Sequence, residues 1–300
     1  MQNSKPFKYY TGLNFKRKKF VCGSYGMRRI IILFLLLISH FSFLISIAAE
    51  PPNRIISLAP NLTEILFEMG LGDKIVGVTN FCDYPEDAKG KPKIGGMYNP
   101  SMEAVVSLRP DMVVMTTDGN LKQFEERLRS LGVRTYVFRA RRLHELSDEI
   151  RKLGTTLGFT EKAYVLAKDI EESLNRYRVL SRSSIGKKVL FIVWPEPLIV
   201  AASGTAVDDA ISLLGCENIA SKAYASYPKY SVEEIIRQAP DVIFIGRGHA
   251  DVKAASRNII EKLSGVPAVR HGEVYYVSDS IYRLSPMIMK GIDEMARCLR

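Results

Sequence analysis

The sequence predicts an α/β fold of two Rossmann-like lobes, each with a central and mostly parallel sheet, joined by a single long backbone helix. Three observations predict it. Strand-like and helix-like segments alternate from Arg54 onward, residues 142–183 contain no strand-like run, and one helix-and-strand unit occurs twice, 130 residues apart. The chain then divides into a basic leader and signal peptide (1–50), a first lobe (51–145), a linker region carrying the long helix (146–184) and a second lobe (185–300).

The elements follow in order. Arg54 to Leu58 is a β-branched run ended by Ala59-Pro60, and Asn61 or Thr63 is placed to cap a helix running to Met69, where Gly70 stops it. Lys74 to Val78 reads as a strand, Ser101 to Leu108 as a helix, Met112 to Thr116 as a strand, Leu121 to Leu131 as a helix and Arg134 to Phe138 as a strand. Thr160 to Ser181 reads as helix throughout, with Ala163, Leu166, Ala167, Ile170 and Leu174 making one apolar stripe. A continuous helix in this position limits hinge motion. After Gly186 come the strand Lys188 to Val193, a helix from Asp208 to Leu214 ended by Gly215, and a helix from Val232 to Gln238. The strands Val242 to Ile245 and Val274 to Val277 follow, then a last helix from Pro286 to the end.

The repeat pairs SMEAVVSLRPDMVV (101–114) with SVEEIIRQAPDVIF (231–244). Ser, Glu, Pro and Asp are identical and the apolar positions agree. Ser starts each helix, the paired aliphatics are expected to face a sheet, and Pro-Asp ends the helix before a buried strand. The helices ending at Gly70 and Gly215 form a weaker second echo.

The net charge of +10 is concentrated at the start. Residues 1–50 hold eight basic side chains and one acid, so residues 51–300 carry 34 basic and 31 acidic side chains, a net +3. That balance removes the case for a nucleic-acid partner, which needs a concentrated basic surface. The basic excess precedes an apolar run from Ile30 to Ala49, the layout of a secretory signal, with Met27 a second candidate start. An uncleaved membrane anchor is the other reading of a run this long. Of four cysteines, Cys22 lies in the leader, leaving Cys82, Cys216 and Cys298. No two have metal-ligand spacing and the four His stand far apart, so no metal site is expected.

Four segments carry a resemblance: RIISLAPNLTEILFEMGLGDKIVGVT (54–79), CDYP (82–85), GGMYNPSMEAVVSLRPDMVV (95–114) and SDSIYRLSP (278–286). In this order, residues 54–300 resemble the helical-backbone family of ABC-transporter substrate-binding proteins, which serve cobalamin, haem and ferric siderophores, and are most similar to its cobalamin-binding branch. The resemblance implies a monomeric, non-enzymatic receptor in the periplasm or on the extracytoplasmic face. Such a receptor captures a corrinoid between its lobes and delivers it to a permease dimer with its ATPase, meeting the membrane only through the permease or an uncleaved anchor. A haem or ferric-siderophore receptor is the alternative, and a cell-surface metal-handling enzyme on the same fold is a second.

Glu103 and Glu233 match the family's glutamates, one per lobe, that meet arginine pockets on a two-fold symmetric permease. The competing reading is that each Glu serves its own helix, through the dipole and a capping box. Ligand is expected at the loops after the carboxyl ends of the strands. Those loops carry Phe81, Tyr84, Tyr98, Trp194, Tyr227, Tyr230 and Tyr282, flat faces suited to a large planar ligand, with Asp279 and Arg283 for its polar edges. Trp194 leads because it is the only Trp, ends a strand and precedes Pro195. By resemblance, Cys216 and Cys298 form a disulfide tying the last helix to the second lobe, which leaves Cys82 as a thiol near the ligand. Enzyme motifs are lacking: there is no Gly-x-Ser-x-Gly elbow, no phosphate loop and no zincin pair. Gly246-Arg247-Gly248-His249 follows a strand but lacks a third glycine and a helix directly behind it.

Overall fold

The computed structural model describes residues 50–300 apart from 118, 120, 121, 181–184, 249 and 250. The predicted leader and signal, with Met27, Cys22 and His40, therefore lie outside the described residues, as do Leu121 and His249.

The first lobe begins with β1 (Ile55–Ser57), α1 (Pro60–Glu68), β2 (Ile75–Val78) and the short α2 (Glu86–Lys89). It continues with α3 (Met102–Ser107), β3 (Met112–Thr116), α4 (Lys122–Ser130) and β4 (Arg134–Phe138). Two helices follow, α5 (Leu146–Leu157) and α6 (Thr160–Leu180). The second lobe comprises β5 (Lys188–Pro195), β6 (Leu198–Val200), α7 (Ala206–Leu213), β7 (Glu217–Asn218), α8 (Val232–Gln238), β8 (Val242–Gly246), α9 (Val252–Lys262), α10 (Pro267–Arg270), β9 (Val274–Val277) and α11 (Ile288–Cys298).

The first sheet has the order β2-β1-β3-β4 and is parallel throughout. In the second, β5 pairs in parallel with β7 and β8, and β8 with β9. The order β7-β5-β8-β9 therefore repeats the first lobe, and the antiparallel β6 is an addition on β5. Parallel strands buried on both faces need helices on both sides, which the alternating sequence supplies.

The duplication extends into the backbone. Asp111 Oδ2 accepts from the amides of Asn53 and Arg54 at 2.9 and 3.0 Å, and Asp241 Oδ2 accepts from that of Lys188 at 2.8 Å. The Asp of each Pro-Asp pair thus fixes the start of its lobe's first strand. Arg54 donates to the carbonyls of Leu108 and Arg109, and Lys188 Nζ to that of Gln238, so a cation closes the carboxyl end of each repeat helix. Arg109 and Ala239 occupy equivalent positions and both have positive φ, 46° and 50°.

Three expectations change here. Asn61 and Thr63 do not cap α1: Ala59 is the N-cap, without a side-chain bond, and Pro60 fills the first turn. Thr63 is buried, with its hydroxyl against Ser57 Oγ at 2.8 Å and Cys82 Sγ at 3.1 Å. The paired aliphatics of the repeat do not both face the sheet. Val105 and Ile235 are buried, whereas Val106 and Ile236 are exposed. Finally, β5 runs on through Trp194 and Pro195, and its hairpin to β6 turns at Glu196-Pro197.

Residues 160–180 of α6 span about 32 Å at the usual helical rise. Its buried stripe of Ala163, Ala167, Ile170 and Leu174 belongs to one continuous core that takes in α1, α5 and β1 on one side and β5, α7 and α11 on the other. Each sheet's other face has a smaller core of its own. Residues Glu50–Arg300 form one compact unit. Among the described residues, no helix is long and apolar enough to cross a membrane.

Candidate functional site

The carboxyl ends of the strands in both lobes open onto one cleft of about 630 Å³. Pro60 and Asn61 reach it after β1, Thr116 at the end of β3 and Arg141 after β4. From the other lobe come Gly204 and Thr205 ahead of α7, Ser226 and Tyr227, and the segment Tyr282–Leu284 after β9. A second hollow of about 370 Å³ is lined by Asp83, Tyr84, Arg247, Gly248, Ser278, Asp279, Ser280 and Met287. Arg283 lines both hollows.

Tyr98 and Tyr227 line the larger hollow, together with Met97, while Tyr84 and Asp279 line the smaller. Trp194 lines neither. Its ring lies against Gly248 at the rim of the smaller hollow, and its Nε1–H donates to the Glu196 carbonyl at 2.6 Å. Phe81 is exposed beside Gly96, outside both hollows. Tyr230 packs into the second lobe's own core and its hydroxyl donates to the Ile219 carbonyl at 3.3 Å, so it belongs to the scaffold. Tyr282 stands edge-on to Phe191 at 5.7 Å. Its hydroxyl occupies the space where a side chain on Gly246 would begin, so β8 must end in glycine.

Arg283 is a strut between the lobes. Its guanidinium donates to Glu64 of α1 at 2.7 Å and to Asp83 at 2.9 Å. Glu64 is 1% exposed, and Ser285 donates a short hydrogen bond to its other oxygen. Burial pushes the Glu64 carboxyl above the usual carboxylate range, against the bonds from Ser285 and Arg283. Burial opposes the Arg283 charge, but Glu64 and Asp83 outweigh it and hold the guanidinium protonated. A second strut joins Arg142, after β4, to Asp209 of α7. Arg142 Nε lies 2.9 Å from both Asp209 oxygens and the Leu143 amide donates at 2.7 Å.

Neither strut was foreseen from the sequence. Glu64 did carry a signal, because it is a charge inside the apolar run of α1 and has to find a partner. The cysteines also differ from expectation. Cys216 and Cys298 are not joined by a disulfide. Cys216 Sγ faces the Leu214 carbonyl at 3.7 Å, and burial raises its thiol to about 11. Cys82 is buried beneath its loop, bonded to Thr63 and Thr79, and does not line the cleft.

Glu103 and Glu233 are exposed and carry no hydrogen bond or ion pair among the described residues. Each occupies the second position of its helix. The cap bond runs instead from the amide one residue later, Ala104 or Glu234, to the Ser hydroxyl, so neither glutamate completes a capping box. The helix that follows the turn at Gly246–Gly248, α9, begins only at Val252 and is capped by Asp251.

The model of the periplasmic binding protein family matches residues 55–280. This chain belongs to that family. Among curated relatives of this binding protein are the vitamin B12-binding proteins of Vibrio campbellii (strain ATCC BAA-1116), 30% identical over 83% of this chain and 90% of the relative, and of Vibrio parahaemolyticus serotype O3:K6 (strain RIMD 2210633), 29% identical over 84% and 90%. Among solved structures, the periplasmic vitamin B12 binding protein of Vibrio cholerae superposes with a TM-score of 0.74 at 28% identity, covering 83% of this chain and 97% of that one. The periplasmic heme-binding protein of Roseiflexus sp. RS-1 gives 0.73 at 26% identity, covering 82% and 97%. The binding protein thus has the two-lobed α/β architecture of these neighbours, and its cleft stands where the strand ends of both lobes meet.

Proposed function

We propose that this chain is the extracytoplasmic substrate-binding protein of an ABC importer, and that it captures a corrinoid of the cobalamin type in the interlobe cleft for delivery to a permease dimer with its ATPase. The observation that carries this reading is the commitment of Arg283. Haem, through its propionates, and the catecholate or carboxylate ferric siderophores present anionic groups that call for uncommitted cations. In this chain the cation shared by both hollows is already neutralised by Glu64 and Asp83; Arg141 lines the larger hollow and Arg247 the smaller, and aromatic and uncharged polar groups line much of the rest. Such a surface suits a bulky ligand rich in amides and apolar area. The vitamin B12-binding relatives support the same class.

The chain acts as a carrier and not as a catalyst, and works as a monomer. The apolar run Ile30–Ala49 is its export signal, and the lobes divide at 51–145 and 185–300 with residues 146–184 between them. Glu103 and Glu233 orient it on the permease. Tyr84, Tyr98, Tyr227 and Asp279 contact the ligand, with Trp194 and Phe81 at the rim.

The test is a fluorescence titration of the purified chain with cyanocobalamin, read on Trp194, the only tryptophan. Saturable quenching is expected, with the corrinoid recovered chemically unchanged after prolonged incubation. Tighter binding of haem or of a ferric hydroxamate in parallel titrations would replace the ligand class, and conversion of the recovered corrinoid would replace the carrier role.

A further inference from the structure

The two repeat helices share more than a glutamate. Along α3 and α8 the sequence of exposed, half-buried and buried positions is the same from Ser101 to Ser107 as from Ser231 to Arg237. Val105 and Ile235 anchor the helices at 0% exposure. Their neighbours point the other way, with Val106 39% and Ile236 51% exposed. Each stands three residues after the glutamate of its helix, on the same face and one turn along. Isolated exposed aliphatics are ordinary on any protein surface. Two at equivalent positions, each beside a carboxylate with no partner among the described residues, are a duplicated surface.

The remaining differences between the helices cancel. Where α3 has Ala104 and Ser107, α8 has Glu234 and Arg237. Those two charges neutralise each other, since Arg237 Nε donates to Glu234 Oε2 at 2.8 Å, and Gln238 donates to the same carboxylate at 2.8 Å. Each lobe therefore shows one unpaired carboxylate and one aliphatic side chain.

We infer that each lobe docks through a two-part contact, Glu103 with Val106 and Glu233 with Ile236, onto a two-fold symmetric membrane permease that offers in each half a guanidinium next to an apolar surface. This rests on the importer reading above and specifies the surface that reading needs. The carboxylate orients the approach, and the aliphatic supplies the dry contact beside it that excludes water from the ion pair. The Glu234–Arg237 pair keeps the second lobe equivalent to the first without touching the partner.

The experiment measures association of the full chain, expressed with its own leader, with the permease–ATPase complex in nanodiscs, and cyanocobalamin affinity alongside. Val106→Ser with Ile236→Ser is expected to weaken association about tenfold while leaving cyanocobalamin affinity unchanged, as truncation of two apolar anchors would. Glu234→Ala with Arg237→Ala is expected to leave association within about twofold of the parent. Unchanged association in the Val106/Ile236 variant overturns the inference, as does a loss in the Glu234/Arg237 variant. Glu103→Ala with Glu233→Ala separates the two levels. If it abolishes association while the serine variant does not, only the two-part contact fails; if it has no effect, the docking reading itself fails.

Discussion

Arg283 shows how one side chain can belong to a binding site and to the scaffold at once. It lines both hollows, yet its guanidinium is held by Glu64 and Asp83. Removing it leaves Glu64 buried without its cation, and Arg283→Ala is expected to cost about 3–5 kcal/mol in chemical denaturation at pH 7. The sign of the pH dependence follows from the raised Glu64 carboxyl. A carboxyl raised in the folded state favours folding below its unfolded value, and that contribution is lost as pH rises through the folded value. Loss of Arg283 raises it further, so the variant should recover stability relative to the parent on going from pH 7 toward pH 5. A variant that loses ligand affinity with its stability intact would make Arg283 a ligand contact only. Cys216 gives a second prediction at this scale. With its thiol raised to about 11, it should resist iodoacetamide at pH 8 in the folded protein and react on unfolding, as read by mass spectrometry. Labelling of the native protein at an ordinary rate would contradict its burial.

At the scale of elements, the repeat helices end on a left-handed residue before Pro, Arg109 in one lobe and Ala239 in the other. That conformation favours glycine, so Ala239→Gly is expected to stabilise the fold by about 0.5–1 kcal/mol, visible as a rise in Tm of a few degrees. Most elements were legible in the sequence because each lies between chemical punctuation. The strands Met112–Thr116, Arg134–Phe138 and Val274–Val277 and the helix Val232–Gln238 are bounded as the sequence predicts. What escaped notice was short or had misleading borders. Leu198–Val200 follows Pro-Glu-Pro, which reads as a loop but turns a hairpin, and β7 is two residues long and leaves no periodicity. Val106 and Ile236 were misjudged because an aliphatic pair on a helix reads as core, although consecutive residues point about 100° apart and the lobe buries only one.

For the whole molecule, the lobes are joined by two struts whose partners lie 219 and 67 residues apart in sequence. Contacts of that range leave no local pattern, which is why Arg283 could be named from the sequence as a ligand candidate while its partners Glu64 and Asp83, and the Arg142–Asp209 pair, could not. Along the chain α5 and then α6 stand between the two sheets, and the buried stripe of α6 belongs to the same core as both lobes. A small hinge motion is expected of that arrangement, with the struts limiting it further. Asp209→Ala should cost about 2 kcal/mol, because it strands a partly buried guanidinium and the Leu143 amide. It should also speed hydrogen exchange at residues 142–146 and in α7. Unaltered exchange there would remove Asp209 from the hinge.

The matched strand orders of the lobes, β2-β1-β3-β4 and β7-β5-β8-β9, have a statistical consequence. A partner with two identical halves can accept this surface in either of two poses related by half a turn. The degeneracy doubles the number of productive encounters and is worth about 0.4 kcal/mol, RT ln 2, with no additional contact. The cleft is unlike on its two sides, so the ligand would be presented turned by half a revolution in one pose relative to the other. A translocation path that serves both must itself be indifferent to which lobe stands over which half.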